Sequence, residues 1–299
     1  MHQWEVTKEE SGTTLLAFLK SKFDSSYSAK KLKKAIESNF CQVNKRTERF
    51  ASTIVGTGDK VTFRAEALST QSSPTITFDA ARILYEDGDL FVYNKPPGIA
   101  SDSPELKQTL RYHCTTLILV HRLDRETSGV LIFAKSKPIF EKFVEIFKQL
   151  QIHKTYLAIV DGIPSKKNGL IDNYIGELHR YQGQIILGEV PASRGMRAIT
   201  RWECEKTGKQ ASLLRCFPKT GRTHQIRVHL SGLGHPILGD YQYGKSFACT
   251  YRPARCLLHA LEVSFPHPTT GKIVKIAAPI PEDLNTAIET LVSCKNFSS

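Results

Sequence analysis

Apolar positions along the 299-residue chain follow two regimes. In the first, "TTLLAFLKSKF" places Leu15, Leu16, Leu19 and Phe23 at helical spacing, and "SSYSAKKLKKAIESNF" places Leu32, Ala35 and Ile36 on one face, so two short helices are predicted. "CQVN" and "DKVTF" after them predict short strands. In the second regime "RILYEDGDLFVYNKPPG" predicts two strands around an Asp-Gly turn, and "GVLIFAK" and "TYLAIVDG" have the length and composition of buried strands. Between those two runs "SKPIFEKFVEIFKQL" sets Phe140, Phe143, Val144, Phe147 and Leu150 at helical spacing, with Ser136 and Pro138 at its start. The small polar stretch "STQSSPTITFD" separates the regimes, which divides the chain into a domain 1–70, a linker 71–79 and a domain 80–299. Strand, helix and strand followed by hairpin-like segments with few helices predict an α+β fold around a mixed, largely antiparallel sheet, not a βαβ repeat.

Charge changes this picture most. Lys and Arg exceed Asp and Glu by a formal +12, a surplus that concentrates polyanions such as nucleic acid or acidic membranes at the surface. Lys30, Lys31, Lys33 and Lys34 crowd the second helix. No apolar run approaches the roughly 18 residues needed to cross a bilayer, and "MHQWEVTKEE" lacks the pattern of a secretory signal, so a cytoplasmic protein without a membrane partner is expected. Seven scattered cysteines suggest neither a disulfide framework nor a zinc site.

Among motifs, "GDYQYGKS" (239–246) satisfies the phosphate-cradling pattern GxxxxGK[ST]. A phosphate loop leaves a buried strand and opens a helix, whereas "GHPILG" precedes this one and "FACTYRPARC" follows it, so a nucleotide site is not expected. His224, His229 and His235 lack ligand spacing and are read as hydrogen-bonding histidines, and neither metal nor cofactor is expected.

"HRLDRETSG" is the remaining candidate for chemistry. Asp124 follows an apolar run, and a carboxylate withdrawn from water stays charged only if a cation compensates. A guanidinium about 4 Å away contributes on the order of 4 kcal/mol at an effective dielectric of 20, which offsets roughly three pKa units of desolvation. "KTGRTHQIRVHLSGLG" offers one in Arg227, on a segment whose Ile226, Leu230 and Leu233 suit a short helix opening near Thr223 while Ile226, Val228 and Leu230 equally suit a strand.

Taken in order, "HRLDRETSG", "KTYLAIVDG", "TGRTHQIRVHL", "GHPILGDYQYG" and "LHALEVSFPHPTTG" resemble the pseudouridine synthases of the RluA family over about residues 80–285. The resemblance implies the pseudouridine synthase fold and a cofactor-free isomerisation of uridine to pseudouridine in RNA. It also implies residue roles: Asp124 as nucleophile at the ribose or at the base, Arg227 as its ion-pair partner, Tyr156 packing on the target base, Ile226 lining the base pocket, and Arg122 filling the space of a flipped-out base. The first 70 residues resemble the alpha-L RNA-binding motif in degenerate form, with Thr13 and Leu15 where that motif carries Arg and Asp. That leader implies ribosomal RNA of the large subunit as first partner and transfer RNA as second, acted on by a monomer.

Overall fold

The computed structural model describes residues 1–23, 26–37, 39–64, 77–181, 184–244 and 246–292. Two compact units make up the chain, one of Met1–Thr75 with His179–Ile186, the other of Ile76–Leu178 and Leu187–Ser299. Of the expected linker, residues 71–76 lie outside the described residues.

In the first unit α1 (Leu15–Lys22) and α2 (Ala29–Glu37) pack on a four-stranded antiparallel sheet of β1 (His2–Glu5), β4 (Lys60–Phe63), β2 (Cys41–Val43) and β3 (Arg46–Thr47), in that order. Thr14 caps α1 by accepting from the Ala17 N–H at 3.2 Å. Leu15, Phe18 and Leu19 of α1 meet Leu32, Ala35 and Ile36 of α2 in one core, which leaves the lysines of α2 on its other faces.

The second unit is built on an eleven-stranded sheet. Its centre runs β13 (Ala211–Pro218), β9 (His153–Asp161), β14 (Leu258–Pro266), β8 (Ser128–Ala134), β6 (Leu90–Lys95), β5 (Ile83–Glu86), and β12 (Met196–Thr207), β10 (Asn168–Tyr181) and β11 (Gln184–Glu189) extend it beyond β13. Short β7 (Ile118–Leu119) joins β8, and β15 (Ile273–Ala277) joins β14. Among the described registers, pairing is antiparallel except between β14 and β8, which makes the sheet mixed.

Every residue of β8 is buried because both faces of the sheet are covered there, so the strand reads as one apolar run instead of alternating. Val130, Ile132 and Ala134 face a core shared with α4 (Lys137–Lys148), while Leu131 and Phe133 face Leu106 and Leu110 of α3 (Pro104–Arg111). The expected stripe of α4 is corrected by this packing. Ile139, Phe143 and Ile146 are buried, Phe140 and Phe147 only half so, and Val144 and Leu150 are exposed. Six apolar residues spread around the helix left its buried face to be chosen by the sheet, and Leu150, with φ at 56°, lies beyond the helix end.

"HQIRVHL" forms a helix, α5 (Gln225–Gly232), with Gln225 through Leu230 all buried. A segment enclosed on every side has no polar face from which to read a period, which is why helix and strand patterns fitted equally. A C-terminal helix, α6 (Glu282–Leu291), seats Leu284 and Ala287 in the same core as Ile226 and Leu230.

One glycine fixes where β8 can sit. Gly129 has φ at 111° and pairs with Ala260 of β14, and a Cβ there would stand 2.1 Å from the Ala260 carbonyl oxygen. Gly129→Ala is therefore expected to cost on the order of 3 kcal/mol in urea unfolding; an unchanged midpoint would contradict this close approach.

Candidate active site

Asp124 sits in the connection that enters β8, and its neighbours are pinned individually. Leu123 exchanges two hydrogen bonds with the Ser101 hydroxyl: its N–H donates at 2.9 Å, and the hydroxyl donates to its carbonyl at 2.9 Å. The Lys95 ammonium donates to the carbonyls of Pro96, Ile99 and Arg125 at 2.9, 2.9 and 3.2 Å. Arg255 donates to the Glu126 carbonyl at 3.0 Å and forks onto Asp283 of α6 at 2.6 and 2.9 Å. Thr127 N–H closes the turn on the Asp124 carbonyl at 3.1 Å. With its flanks so held, Asp124 leaves its side chain 26% exposed.

Its partner is brought in from 103 residues downstream. Arg227 Nη1 donates to Asp124 Oδ2 at 3.2 Å. The same guanidinium forks onto Asp240, with Nε to Oδ2 at 2.7 Å and Nη2 to Oδ1 at 2.9 Å, and Nη2 also reaches Gln242 Oε1 at 2.9 Å. Burial works against the charge on Arg227, but the Asp240 carboxylate outweighs it and raises the guanidinium well above the usual arginine range. Asp240 is itself 1% exposed, so this fork fixes the plane of Arg227 and thereby the direction in which Nη1 points.

His224 lies on the other side of Asp124, its Nε2 3.8 Å from Oδ1, while its Nδ1 shares a 2.7 Å hydrogen bond with the Tyr243 hydroxyl. Its backbone is left-handed, φ 55°, a conformation that costs a non-glycine residue about 1–3 kcal/mol and persists where the surroundings impose it. The Tyr243 ring lies under Arg227, 4.9 Å from the guanidinium carbon. Tyr156, on β9 opposite Ala260, has its phenol raised above the ordinary range by burial and by the field of Asp124. Burial also lowers the Lys95 ammonium to about 7, a shift that Arg255 reinforces and Asp124 opposes.

Of the residues singled out in the sequence, Asp124, Arg227 and Tyr156 thus form one constellation. Ile226 is buried in the core against which Tyr156 packs. Arg122 stands apart, 74% exposed and paired with Asp102 at 3.4 Å. Lys30, Lys31, Lys33 and Lys34 belong to α2 of the first unit, where Lys33 pairs with Glu37 at 3.9 Å and Lys31 lies 5.4 Å over the Tyr27 ring. Sequence reading missed Asp240, Gln242 and Tyr243; a lone carboxylate within the otherwise uncharged "GHPILGDYQYG" was the available signal. The histidines take hydrogen-bond partners, His229 with Thr200 and Asn173 at 2.8 and 3.0 Å and His235 with the Asp161 carbonyl at 2.8 Å. Of the phosphate-loop match, Gly239–Gly244 forms turns, its Lys245 lies outside the described residues, and no helix opens in 246–252.

Residues 89–232 match the family described as RNA pseudouridylate synthase. A ribosomal large subunit pseudouridine synthase C from Escherichia coli (strain K12) is 37% identical over 228 residues, spanning 70% of this chain and 69% of that protein. The chain belongs to the RluA-type RNA pseudouridine synthases. A ribosomal large subunit pseudouridine synthase D from Zymomonas mobilis subsp. mobilis (strain ATCC 31821 / ZM4 / CP4) is 34% identical over 232 residues, 70% of this chain and 72% of its own length. Among solved structures, human RNA pseudouridylate synthase domain containing 1 superposes with a TM-score of 0.59 at 30% identity, covering 66% of this chain and 82% of that one. The α+β fold with its mixed, largely antiparallel sheet is thus that of a pseudouridine synthase, and the chain is an RNA-modifying isomerase.

The two carboxylates around Arg227 differ in burial and so in what their loss should do to this synthase. Asp240→Ala leaves a buried guanidinium half-compensated and is expected to destabilise by about 3–5 kcal/mol, whereas Asp124→Asn at the partly exposed position should cost about 1 kcal/mol or less. Urea unfolding of both variants checks the order, and equal losses would refute it.

A second expectation concerns pH. Burial lowers His229 and His259 from 6.5 to about 4 and His121 to about 3. These imidazoles stay neutral in the fold while the unfolded chain takes up protons below pH 6.5, so their contribution is complete above 6.5 and is lost as pH falls toward 4. Stability measured between pH 6.5 and 5 should decline, and His229→Gln should flatten the decline by about one proton, ~1.4 kcal/mol per pH unit; an unaltered slope would exclude His229 as a contributor.

Proposed function

We propose that the chain isomerises specific uridines of large-subunit ribosomal RNA, with Asp124 as nucleophile. The observation that carries this reading is the asymmetric seating of Asp124: Oδ2 is held by Arg227 at 3.2 Å, Oδ1 has, among the described residues, only His224 Nε2 at 3.8 Å, and the side chain remains 26% exposed. A carboxylate anchored through one oxygen presents the other without reorganising when charge shifts.

In the proposed reaction the bond between uracil N1 and ribose C1′ breaks, Asp124 holds the reacting fragment through a bond to C1′ or to the ring, and the base turns to present C5. A C5–C1′ bond then replaces the original one, Asp124 is released, and the C5 proton is lost as N1 regains a proton, so atoms balance without a redox partner. Tyr156 packs on the base, and Ile226 supports that packing from the core. A stacked uridine must leave its helix to reach Asp124, at a cost of a few kcal/mol. Arg122, exposed and planar, takes the vacated place, stacking on bases and meeting phosphates together.

Large-subunit ribosomal RNA is proposed first because relatives at 34–37% identity carry that substrate in their names; transfer RNA stands second. Lys30, Lys31, Lys33 and Lys34 of the small first unit are assigned to RNA contact, and the net charge of +12 supplies phosphate affinity that weakens with salt. The enzyme is proposed to act as a monomer, in the cytoplasm, without cofactor.

Asp124→Asn is expected to lower pseudouridine formation by about 10³-fold or more while RNA affinity stays within about threefold. Pseudouridine mapping of cellular RNA with and without the gene identifies the target at the same time. Retained turnover in the variant would overturn the nucleophile assignment, and lost sites in transfer RNA alone would overturn the substrate.

A further inference from the structure

Lys154 is a cation held beside the site without a counter-charge. It precedes Tyr156 by two positions on β9, so both side chains leave the same face of the strand, about 7 Å apart. Its ammonium lies 3.4 Å from the Thr220 carbonyl, in the turn that leads to His224, and 5.8 Å from the centre of the Phe147 ring. Among the described residues no carboxylate pairs with it. Three other lysines of this unit differ in having strong partners: Lys135 binds Glu86 at 2.7 Å, Lys275 binds Glu262 at 3.0 Å, and Lys95 caps three carbonyls.

Burial lowers the Lys154 ammonium to about 8, and no opposing charge offsets that shift. His121, the neighbour that feels its field, supplies no anion: its Nε2 accepts the Ile132 N–H at 3.2 Å, and burial followed by Lys154 itself keeps the imidazole neutral. Withdrawing an ammonium from water without a partner is unfavourable, and one long hydrogen bond to a carbonyl recovers little of the loss. The fold therefore carries an electrostatic deficit at this position that an anionic ligand would relieve. RNA brings one such group at every nucleotide.

We propose that Lys154 seats a backbone phosphodiester of the RNA, the one flanking the uridine whose base reaches Tyr156. The inference rests on the RNA reading above and adds a phosphate contact at the site itself, distinct from the lysines of the first unit. Lys154 then sets the register of the strand: Tyr156 receives the base while the ammonium two residues away holds the backbone.

The test uses the full chain and a ribosomal RNA fragment carrying the uridine it modifies. Neutral methylphosphonate linkages are placed 5′ or 3′ of that uridine, with 2′-O-methyl on the adjoining ribose, and binding is measured on an Asp124→Asn background. Lys154→Met should weaken binding about tenfold or more and reduce the salt slope by about one, with a melting temperature equal to or above that of the parent. Lys154→Arg should stay within about threefold of the parent. One of the two methylphosphonates should weaken the parent as much as Lys154→Met does, and should not weaken Lys154→Met further. Unchanged affinity and salt slope in Lys154→Met would overturn the proposal, as would a methylphosphonate penalty equal in both proteins, or a lowered melting temperature with affinity intact. Failure of the Lys154-bearing, Asp124-bearing chain to form pseudouridine on the unsubstituted fragment would instead sink the RNA reading itself, so the two failures are told apart.

Discussion

The site depends on a single buried guanidinium shared by two carboxylates of unequal standing. Asp240 is enclosed and holds Arg227 by a two-point fork, so it sets where the guanidinium lies. Asp124 is partly open and meets the remaining nitrogen at 3.2 Å. Such a cation cannot be left without its enclosed partner Asp240 except at a large penalty, so helix α5 and the "GDYQYG" turn must arrive together, and the connection into β8 then meets a nitrogen already oriented. The arrangement links the enclosed core of α5 to the connection that carries Asp124 into β8.

Around that pair the structure gives an irregular segment the rigidity of a regular one. Residues 123–127 form no helix, yet three of them are tied by bonds from elsewhere: Ser101 to Leu123, Lys95 to the Arg125 carbonyl, Arg255 to the Glu126 carbonyl. Arg255 also grips Asp283, so helix α6 is coupled to the loop that carries Asp124 through one side chain. Holding the loop by main-chain carbonyls leaves the Asp124 carboxylate free of structural duty beyond its bond to Arg227. Side chains placed in this way need little reorganisation when charge moves near them.

Much of the architecture was legible because it is locally encoded. Leu32, Ala35 and Ile36 recur on one face, and α2 buries those three. The Asp-Gly turn between Ile83–Glu86 and Leu90–Lys95 follows from turn chemistry, and β8 and β9 from unbroken apolar runs. Where the local signal saturated, reading left alternatives open. Six apolar residues in α4 could not name their own inward face, and in "HQIRVHL" an all-buried segment erased the period that separates helix from strand. The helices Pro104–Arg111 and Glu282–Leu291 were not anticipated, since few apolar residues mark them amid polar neighbours.

By itself the sequence determined the chemical vocabulary of the site: an aspartate between arginines at a strand entry, a second arginine within "HQIR", and a tyrosine on a buried strand. It also determined the order of the motifs, which is enough to mark the family. Only the tertiary structure decided the pairing. Asp124 and Arg227 are 103 residues apart, and whether Arg227 serves Asp124 alone or is first fixed by Asp240 is a matter of distances that no spacing encodes. The physical reason is that residue type and period report on local backbone and burial, while the compensation of a buried charge is settled by whichever opposite charges the fold brings within a few ångströms.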